Sequence, residues 1–141
     1  MRGRHAVLHD LPTGKRRTHM TDTTARLVDS YYETLKDGAA SFDADRLREI
    51  LAADLEFEGP IAGRRIGAEG FIQGVARFAE AMRGMTVLQQ VRAGDQASAL
   101  YDAQLPGGTV RFAEFFRIAD GRIVSLRLLY DAGEYRARGG R

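Results

Sequence analysis

The sequence predicts an α+β fold, a cone-shaped α+β barrel in which three N-terminal helices pack on a curved, mixed and mostly antiparallel sheet. Apolar residues recur at spacings of three and four over much of residues 21–82, which is typical of amphipathic helices. From about residue 86 the apolar residues alternate with polar ones, which is typical of strands. Helices that precede a run of strands indicate an α+β layout, with the helices on one face of the sheet.

The first helix is predicted to follow the capping residues Thr21–Thr24 and to end at Gly38. Its apolar stripe consists of Leu27, Val28, Tyr31, Tyr32 and Leu35. A second, short helix is predicted from about Ala44 to Leu51. A strand then contains Leu55 and Phe57 and stops at Gly59 and Pro60, where the alternation ends.

A third helix is predicted from about Ala68 to Met82. After Gly84, four strands are predicted over residues 86–93, 96–105, 109–119 and 122–131. Turn signals at Gly94-Asp95, Pro106-Gly107-Gly108 and Asp120-Gly121 separate these strands. Consecutive strands joined by short turns form an antiparallel meander.

The chain of 141 residues has the length of one ordinary domain, which we place at residues 21–137. Residues 1–20 form a basic arm that we expect to be disordered or loosely docked, and residues 138–141 are expected to fray. Residues 1–19 contain five basic residues and one acidic residue, whereas the remainder contains sixteen basic and eighteen acidic residues. The domain therefore has no obvious field for binding phosphate, and we expect no nucleic-acid partner.

The missing residue types exclude several classes of chemistry. The chain has no cysteine, and its three histidines all lie in the arm, so the domain cannot form a thiolate site, a histidine-ligated metal site or a serine–histidine triad. We therefore expect no metal and no cofactor. No apolar run approaches the roughly 20 residues that span a bilayer. A soluble, cytoplasmic protein without a membrane partner is the expectation.

Glu114 is the strongest candidate for a catalytic residue. Strand alternation places it between Phe112 and Phe116 on one face, with Arg111 and Arg117 on the other. A carboxyl group in such surroundings loses hydration, which raises its pKa and favours the neutral form that can donate a hydrogen bond. The alternatives are a glutamate at a dimer interface or one that is paired with an arginine.

Tyr31 is the second candidate, because its position on the apolar stripe of the first helix requires its hydroxyl to find a partner. A core tyrosine without a functional role is the alternative. Since the domain lacks histidine, any general base must be a carboxylate. The candidates for this base are Asp102 and Glu58, with Asp131 as a further possibility, and each of them is equally compatible with a solvated charge at a strand end.

The apolar side chains that are predicted to face inward form the candidate wall for a small hydrophobic ligand. These residues are Phe57, Phe78, Phe112, Phe116, Leu126, Leu128 and Tyr130. For the closing strand, a plain core function is the alternative. On the opposite face of the sheet, Phe115 and Leu129 form an apolar patch through which two copies of the chain are expected to pair.

Four stretches of the sequence resemble the nuclear-transport-factor-2-like superfamily, and within it the branch of ketosteroid isomerases and SnoaL-like polyketide cyclases. The resemblance covers about residues 23–137. The stretches that carry it are Tyr31–Leu35, Ala53–Pro60, Phe115–Val124 and Ser125–Tyr130.

The resemblance implies a role for the two main candidates. Ketosteroid isomerases use a helix tyrosine and a protonated strand acid as an oxyanion hole, together with an aspartate base. Tyr31 and Glu114 fall at the first two positions, whereas Gly59 stands at the position of the base. SnoaL-like cyclases carry an acid/base aspartate on the closing strand, where this chain has Leu128. Neither steroid isomerisation nor the aldol cyclisation therefore transfers directly.

We therefore expect an isomerase, cyclase or hydrolase that acts on a hydrophobic carbonyl or oxygen-heterocycle compound in an enclosed apolar pocket. Glu114 is the expected acid or oxyanion donor, Tyr31 the second donor, and Asp102 or Glu58 a base. A binding module without catalysis and a dimeric accessory domain of the same fold are the alternatives.

Overall fold

The computed structural model describes the backbone of residues 13–141 and the side chains of residues 19–141. Most of the predicted arm, residues 1–12, lies outside the described residues. The helices are α1 (Thr13–Glu33), α2 (Ala44–Ile50), α3 (Ala68–Ala81) and α4 (Ala132–Ala137), and a 3₁₀ turn spans Gly38–Ala40. Across the described part of the chain, none of these helices combines the length and the hydropathy that crossing a membrane requires.

Six strands form one mixed sheet, which confirms the predicted α+β class. They are β1 (Leu51–Gly59), β2 (Gly63–Ile66), β3 (Gly84–Ala93), β4 (Gln96–Leu105), β5 (Gly108–Ala119) and β6 (Arg122–Leu129). Their order is β2-β1-β6-β5-β4-β3, and all neighbours are antiparallel except β1 and β6, which are parallel. The sheet is curved and does not close into a complete barrel.

The helices occupy the concave face of the sheet. Register shifts interrupt the β1–β6, β3–β4 and β5–β6 pairs. Such irregularities bend and twist strands, and bending lets one face wrap around a helix. On β4 and β5 the buried side chains alternate with more exposed ones, so these strands have a buried inner face and an outer face. The core lies between this inner face and the helices.

The β3–β4 turn holds α1 in place. Thr24 is buried, and its hydroxyl donates to the carbonyl oxygen of Gly94 at 2.7 Å. The amide of Gly94 donates to the Thr21 hydroxyl at 2.9 Å, and Arg92 on β3 pairs with Asp29 on the same helix. These contacts fix α1 against β3 and β4, and thereby determine where its next turns meet β5.

The structure differs from the predicted elements at the ends of the chain and in strand β2, which was not predicted. Helix α1 begins at Thr13, within the predicted arm, because the capping residues Thr21–Thr24 continue the helix instead of starting it. The last strand ends at Leu129, and the short helix α4 follows it. The fraying expected of residues 138–141 stays a prediction, although backbone hydrogen bonds are present there. The Gly139 and Gly140 amides donate to the Arg136 and Tyr135 carbonyls.

Candidate functional site

Glu114 lies at the centre of β5 on the inner face of the sheet. Its register partners are Ala99 on β4 and Leu128 on β6. The side chain is only 1% exposed, and within the described residues it is the one buried carboxylate. The small Ala99 side chain leaves room beside it for groups from the opposing helix.

Two phenols of α1 bind the Glu114 carboxyl group. Tyr31 donates a hydrogen bond to Oε2 at 2.9 Å, and Tyr32 donates one to Oε1 at 2.7 Å. The Tyr31 and Tyr32 rings are 5.2 Å apart and inclined at 70° to each other. Adjacent helical residues leave the axis about 100° apart, so the long phenol side chains converge on one carboxyl group from different sides.

Burial raises the pKa of Glu114 from 4.5 to about 7, although the hydrogen bonds from Tyr32 and Tyr31 act in the opposite direction because they stabilise the carboxylate. Burial and the nearby Glu114 charge raise the pKa of Tyr31 and of Tyr32 above the ordinary tyrosine value. Both phenols therefore keep their protons. Glu114 is the member of the cluster that can gain or lose a proton near neutral pH.

Aromatic rings surround these three side chains. The Phe116 ring lies 5.4 Å from the Tyr31 ring and 5.9 Å from the Tyr32 ring, both in edge-on contact. Tyr101 meets Tyr32 at 5.8 Å, and Phe71 stacks against Tyr31 at 6.3 Å. An acid in such surroundings has little water to stabilise its charge, which is the physical cause of its raised pKa.

Ring contacts and hydrogen bonds occupy the space beside Glu114, and the enclosed pocket expected there stays a prediction. Two surface hollows lie elsewhere, and neither is lined by Tyr31 or Glu114. One, of about 150 Å³, lies over β1, β2 and β6 and includes Glu58 and Arg127. The other, of about 210 Å³, lies on the outer face beside Phe115.

The carboxylates that were predicted as possible bases lie away from Glu114. Asp102 is on the outer face of β4, where Arg111 donates to it from 2.8 Å and lowers its pKa. The exposed Glu58 lies 3.5 Å from Arg127. Asp131 caps α4 by accepting a hydrogen bond from the Glu134 amide at 2.8 Å. The structure brings Tyr31 and Glu114 together and leaves these carboxylates outside.

The predicted wall residues divide into a buried and a partly buried group. Phe112, Phe116 and Leu126 are buried. Phe57, Phe78, Leu128 and Tyr130 are half-buried and pack against the core.

The position that the resemblance gives to the base is covered by a ring. A Cβ atom on Gly59 would lie 3.0 Å from Cζ of Phe57, so the Phe57 ring takes the space that a side chain at this position would enter. The same ring packs on Phe71 at 4.8 Å. At position 59, where the resemblance would place a carboxylate, this chain therefore has apolar packing by the Phe57 ring.

Sequence reasoning assigned no functional role to Tyr32, Tyr101 and Tyr135. Tyr32 was recognised only as an apolar-stripe residue, although the paired tyrosines 31 and 32 were a signal for two phenols near one acid. The sequence does not place Tyr101, because periodicity does not show which face of β4 is buried. Tyr135 lies on α4, which is too short to give a periodic pattern.

Comparisons with known proteins agree with this architecture. The SnoaL-like domain family matches residues 28–126. Among proteins with a curated description, none is significantly similar in sequence.

Several solved structures share the fold. A protein from Kribbella flavida DSM 17836 is 25% identical, with a TM-score of 0.68 over 78% of this chain and 90% of that one. An NTF2-like protein of unknown function from Mesorhizobium loti is 22% identical, with a TM-score of 0.69 over 79% and 93%. A steroid delta-isomerase from Pseudomonas aeruginosa is 18% identical, with a TM-score of 0.69 over 83% and 86%. At this identity, the last two show a common fold alone.

Proposed function

This chain belongs to the SnoaL-like domain family, and from that membership and the buried acid we propose that it is an isomerase, cyclase or hydrolase acting on a small hydrophobic molecule. The substrate class is a carbonyl or oxygen-heterocycle compound. The reaction proceeds by acid or oxyanion-donor catalysis in the cytoplasm, without a metal or a cofactor. The observation that carries the proposal is the Glu114 carboxyl group, buried and bonded to two phenols.

The chemistry follows from the pKa of about 7. Neutral Glu114 donates its proton to a carbonyl, ether or epoxide oxygen of the substrate, and the O–H bond of the acid breaks as that of the substrate forms. The carboxylate that remains accepts a hydrogen bond from the phenol still bound to it, and it returns to the neutral form by taking up the proton that the water acting as base or nucleophile releases. One donor to a developing oxyanion is worth roughly 3 to 4 kcal/mol in catalysis.

Substrate entry requires a rearrangement, because Tyr31 and Tyr32 now occupy both carboxyl oxygens. A carbonyl oxygen at Glu114 replaces one of these phenol contacts, and the displaced phenol becomes a second donor to the substrate. The buried residues Phe112, Phe116 and Leu126 supply the apolar wall of the site. In the described part of the chain no second carboxylate is buried, so a bound water serves as the base or nucleophile.

The packing beside Glu114 also supports a second candidate, a ligand-binding domain of the same fold without catalysis. Asp102 and Glu58 are both paired with arginines on the exposed side of the sheet. A domain with an acid but no base binds a hydrogen-bond acceptor without converting it. The two candidates differ only in turnover.

We further propose that two copies of the chain pair through an outer patch, defined as Val91, Leu100, Ala113, Phe115 and Leu129. Phe115 is 45% exposed and Leu129 is 62% exposed. The hollow of about 210 Å³ beside the Phe115 ring lies in the same patch. In a two-fold contact between identical chains, each copy supplies the same surface. The projecting ring of one copy can therefore fit the hollow of the other. This patch supports an accessory, dimeric role as well.

The test is a turnover screen of steroid enones, polyketide-like ketones and epoxides, with liquid chromatography and ultraviolet absorbance to separate isomers and mass spectrometry to detect hydrolysis. We expect Glu114→Gln to lower kcat/KM by about 100-fold or more, with ligand affinity within about tenfold. Asp102→Asn, the matched control on the opposite face, keeps kcat/KM within about threefold. Full turnover by Glu114→Gln contradicts the proposal. A ligand that binds with no turnover at all favours the binding domain instead.

A further inference from the structure

A second aromatic group, which we call the mouth cluster, consists of Phe78, Phe112, Tyr130 and Tyr135. Phe78 lies on α3, Phe112 on β5, Tyr130 just after β6 and Tyr135 on α4. The Phe112 ring is 5.4 Å from Phe78 and 4.7 Å from Tyr130. The Tyr135 ring lies 5.2 Å from Tyr130, 6.0 Å from Phe112 and 6.2 Å from Phe78. Three rings thus form a compartment that the ring of Tyr135 fills.

The mouth cluster borders the buried acid. Phe112 and Glu114 are two residues apart on the same inner face of β5, and the Phe112 ring also stacks on Tyr101 at 5.1 Å with an angle of 4°. Tyr101 in turn contacts Tyr32, which binds the acid. The compartment therefore lies next to the proposed site, with Phe112 as the shared wall.

Helix α4, which carries Tyr135, has little side-chain packing that attaches it to the rest of the domain. It has six residues, and Tyr135 is its one buried side chain, at 3% exposure. Helices of this length are not stable in water without tertiary contacts. The position of α4 thus depends on one ring in the compartment and on the contacts that follow it in the chain.

Those contacts form a latch at the β4–β5 turn. The Gly107 amide donates to the Arg138 carbonyl at 2.9 Å, and Arg138 Nη1 donates to the Gly107 carbonyl at 3.3 Å. A Cβ atom at Gly107 would lie 2.9 Å from Cα of Arg138, so the latch closes only because position 107 has no side chain. The Tyr135 hydroxyl also donates to the Arg141 carbonyl at 2.9 Å.

We propose that Tyr135 is an intramolecular placeholder in a binding site for a flat, uncharged ring molecule, and that release of the latch vacates this site. The proposal rests on the proposed function, because the compartment that Tyr135 vacates extends the proposed site on the other side of Phe112. The ligand class follows from the compartment itself, whose walls are three rings and whose present occupant is a phenol.

The Tyr135 ring competes with the ligand for the compartment. The proposal therefore predicts the direction in which ligand affinity changes when the latch is loosened. If only the open fraction of molecules binds, the apparent affinity equals the intrinsic affinity reduced by that fraction. Loosening the latch must therefore tighten binding. If α4 is instead a permanent wall of the site, loosening it must weaken binding.

The first experiment compares Gly107→Ala with Gly70→Ala by fluorescence titration of 2-naphthol, a flat phenol. Gly107→Ala loosens the latch without removing a ring, whereas Tyr135→Ala would leave a hole that binds aromatics for a trivial reason. Gly70 lies on α3 with no atom within 4 Å of an added Cβ, so it serves as the matched control. We expect 2-naphthol to bind Gly107→Ala roughly tenfold more tightly than either the wild type or Gly70→Ala. Equal, weaker or undetectable binding to Gly107→Ala overturns the proposal.

The second experiment needs no ligand and measures native-state hydrogen exchange of the wild type. The Tyr135, Arg138, Gly139 and Gly140 amides, which all form backbone hydrogen bonds, are expected to exchange through a local opening that denaturant hardly affects. Exchange of these amides only together with the core of β5 overturns the placeholder. The proposed function stands or falls separately, on the loss of turnover in Glu114→Gln.

Discussion

At the scale of single residues, the central feature is a carboxyl group whose partners are phenols and not cations. Among the described ion pairs none includes Glu114, so the alternative of a structural pair with an arginine does not describe this side chain. A phenol stabilises a carboxylate less than a guanidinium does, since it brings a hydrogen bond but no charge. The effect of burial on the pKa of Glu114 is therefore larger than that of the two phenols. A fraction of Glu114 is still protonated at neutral pH.

This balance predicts a stability that decreases as pH rises. Because the pKa of Glu114 is raised from 4.5 to about 7, the folded protein binds more protons than the unfolded chain between these values. The stabilisation is complete below pH 4.5 and is lost through pH 7, a decrease of about 3 kcal/mol in the free energy of unfolding. Urea unfolding from about pH 5 to about pH 8 measures it.

Glu114→Gln is the control for this prediction, because it keeps the shape of the side chain and removes its titration. The expected result is a profile for the variant that is flatter than that of the wild type over this range. Two parallel profiles would show that Glu114 does not titrate in this window in the folded protein.

The helical stripe and the strand alternation predicted that Tyr31 and Glu114 are each buried, whereas their meeting was implied by the family resemblance. The contact of the second phenol, Tyr32, with Glu114 was not predicted, because neighbouring residues on a helix ordinarily face different surroundings. Tyr32 reaches Glu114 because its long phenol side chain converges with that of Tyr31 on the same carboxyl group. Sequence periodicity describes one element at a time and carries no information about such convergence.

At the scale of elements, the placement of α1 determines whether the site exists. The Thr24 hydroxyl joins the helix to the β3–β4 turn two helical turns before the tyrosines. Without this bond the Gly94 carbonyl loses a partner, although the apolar stripe of the helix remains.

We predict that Thr24→Val lowers the free energy of unfolding by about 1 to 2 kcal/mol, because a hydroxyl is lost at constant side-chain shape and a carbonyl is left unpaired. Thermal or urea unfolding gives the value. Thr86→Val, on the exposed strand β3, is the control and is expected to change stability by less than about 0.5 kcal/mol. A loss at Thr24 no larger than that at Thr86 would show that the anchor is unimportant.

The elements that the sequence predicted well are those with a long periodic pattern. Helix α3 and strands β4 and β5 agree with the predicted bounds within one residue. Strand β2 was missed because all four of its residues are exposed and show no alternation. Helix α4 was missed because of its length, although Asp131 and Glu134 at a spacing of three were a capping signal.

At the scale of the whole molecule, the outer patch is where a second copy is proposed to bind. We predict that Phe115→Glu converts a dimer into a monomer in sedimentation equilibrium, because the charge would be buried against an apolar surface. Ile66→Glu, an equally drastic change at an exposed residue of β2 outside the patch, leaves the dimer intact. A monomeric wild type, or equal effects of both variants, contradicts pairing through this patch.

The overall architecture was predictable because alternation and turn signals determine which strands are neighbours along the chain. The packing of side chains in the interior was not predictable from the sequence. Whether a hollow remains between a sheet and its helices depends on how rings from distant segments pack, as the contacts of Phe116 with Tyr31 and Tyr32 illustrate. Packing of this kind depends on three-dimensional volumes that a linear pattern does not specify.

The most direct test of the central claim is the titration of the Glu114 carboxyl carbon by ¹³C NMR in protein labelled at glutamate, with Glu114→Gln to assign the resonance. The account predicts a midpoint near pH 7. A midpoint near 4.5, the ordinary value for a glutamate, would show that the acid is ionised at neutral pH and cannot donate the proton on which the proposed chemistry depends.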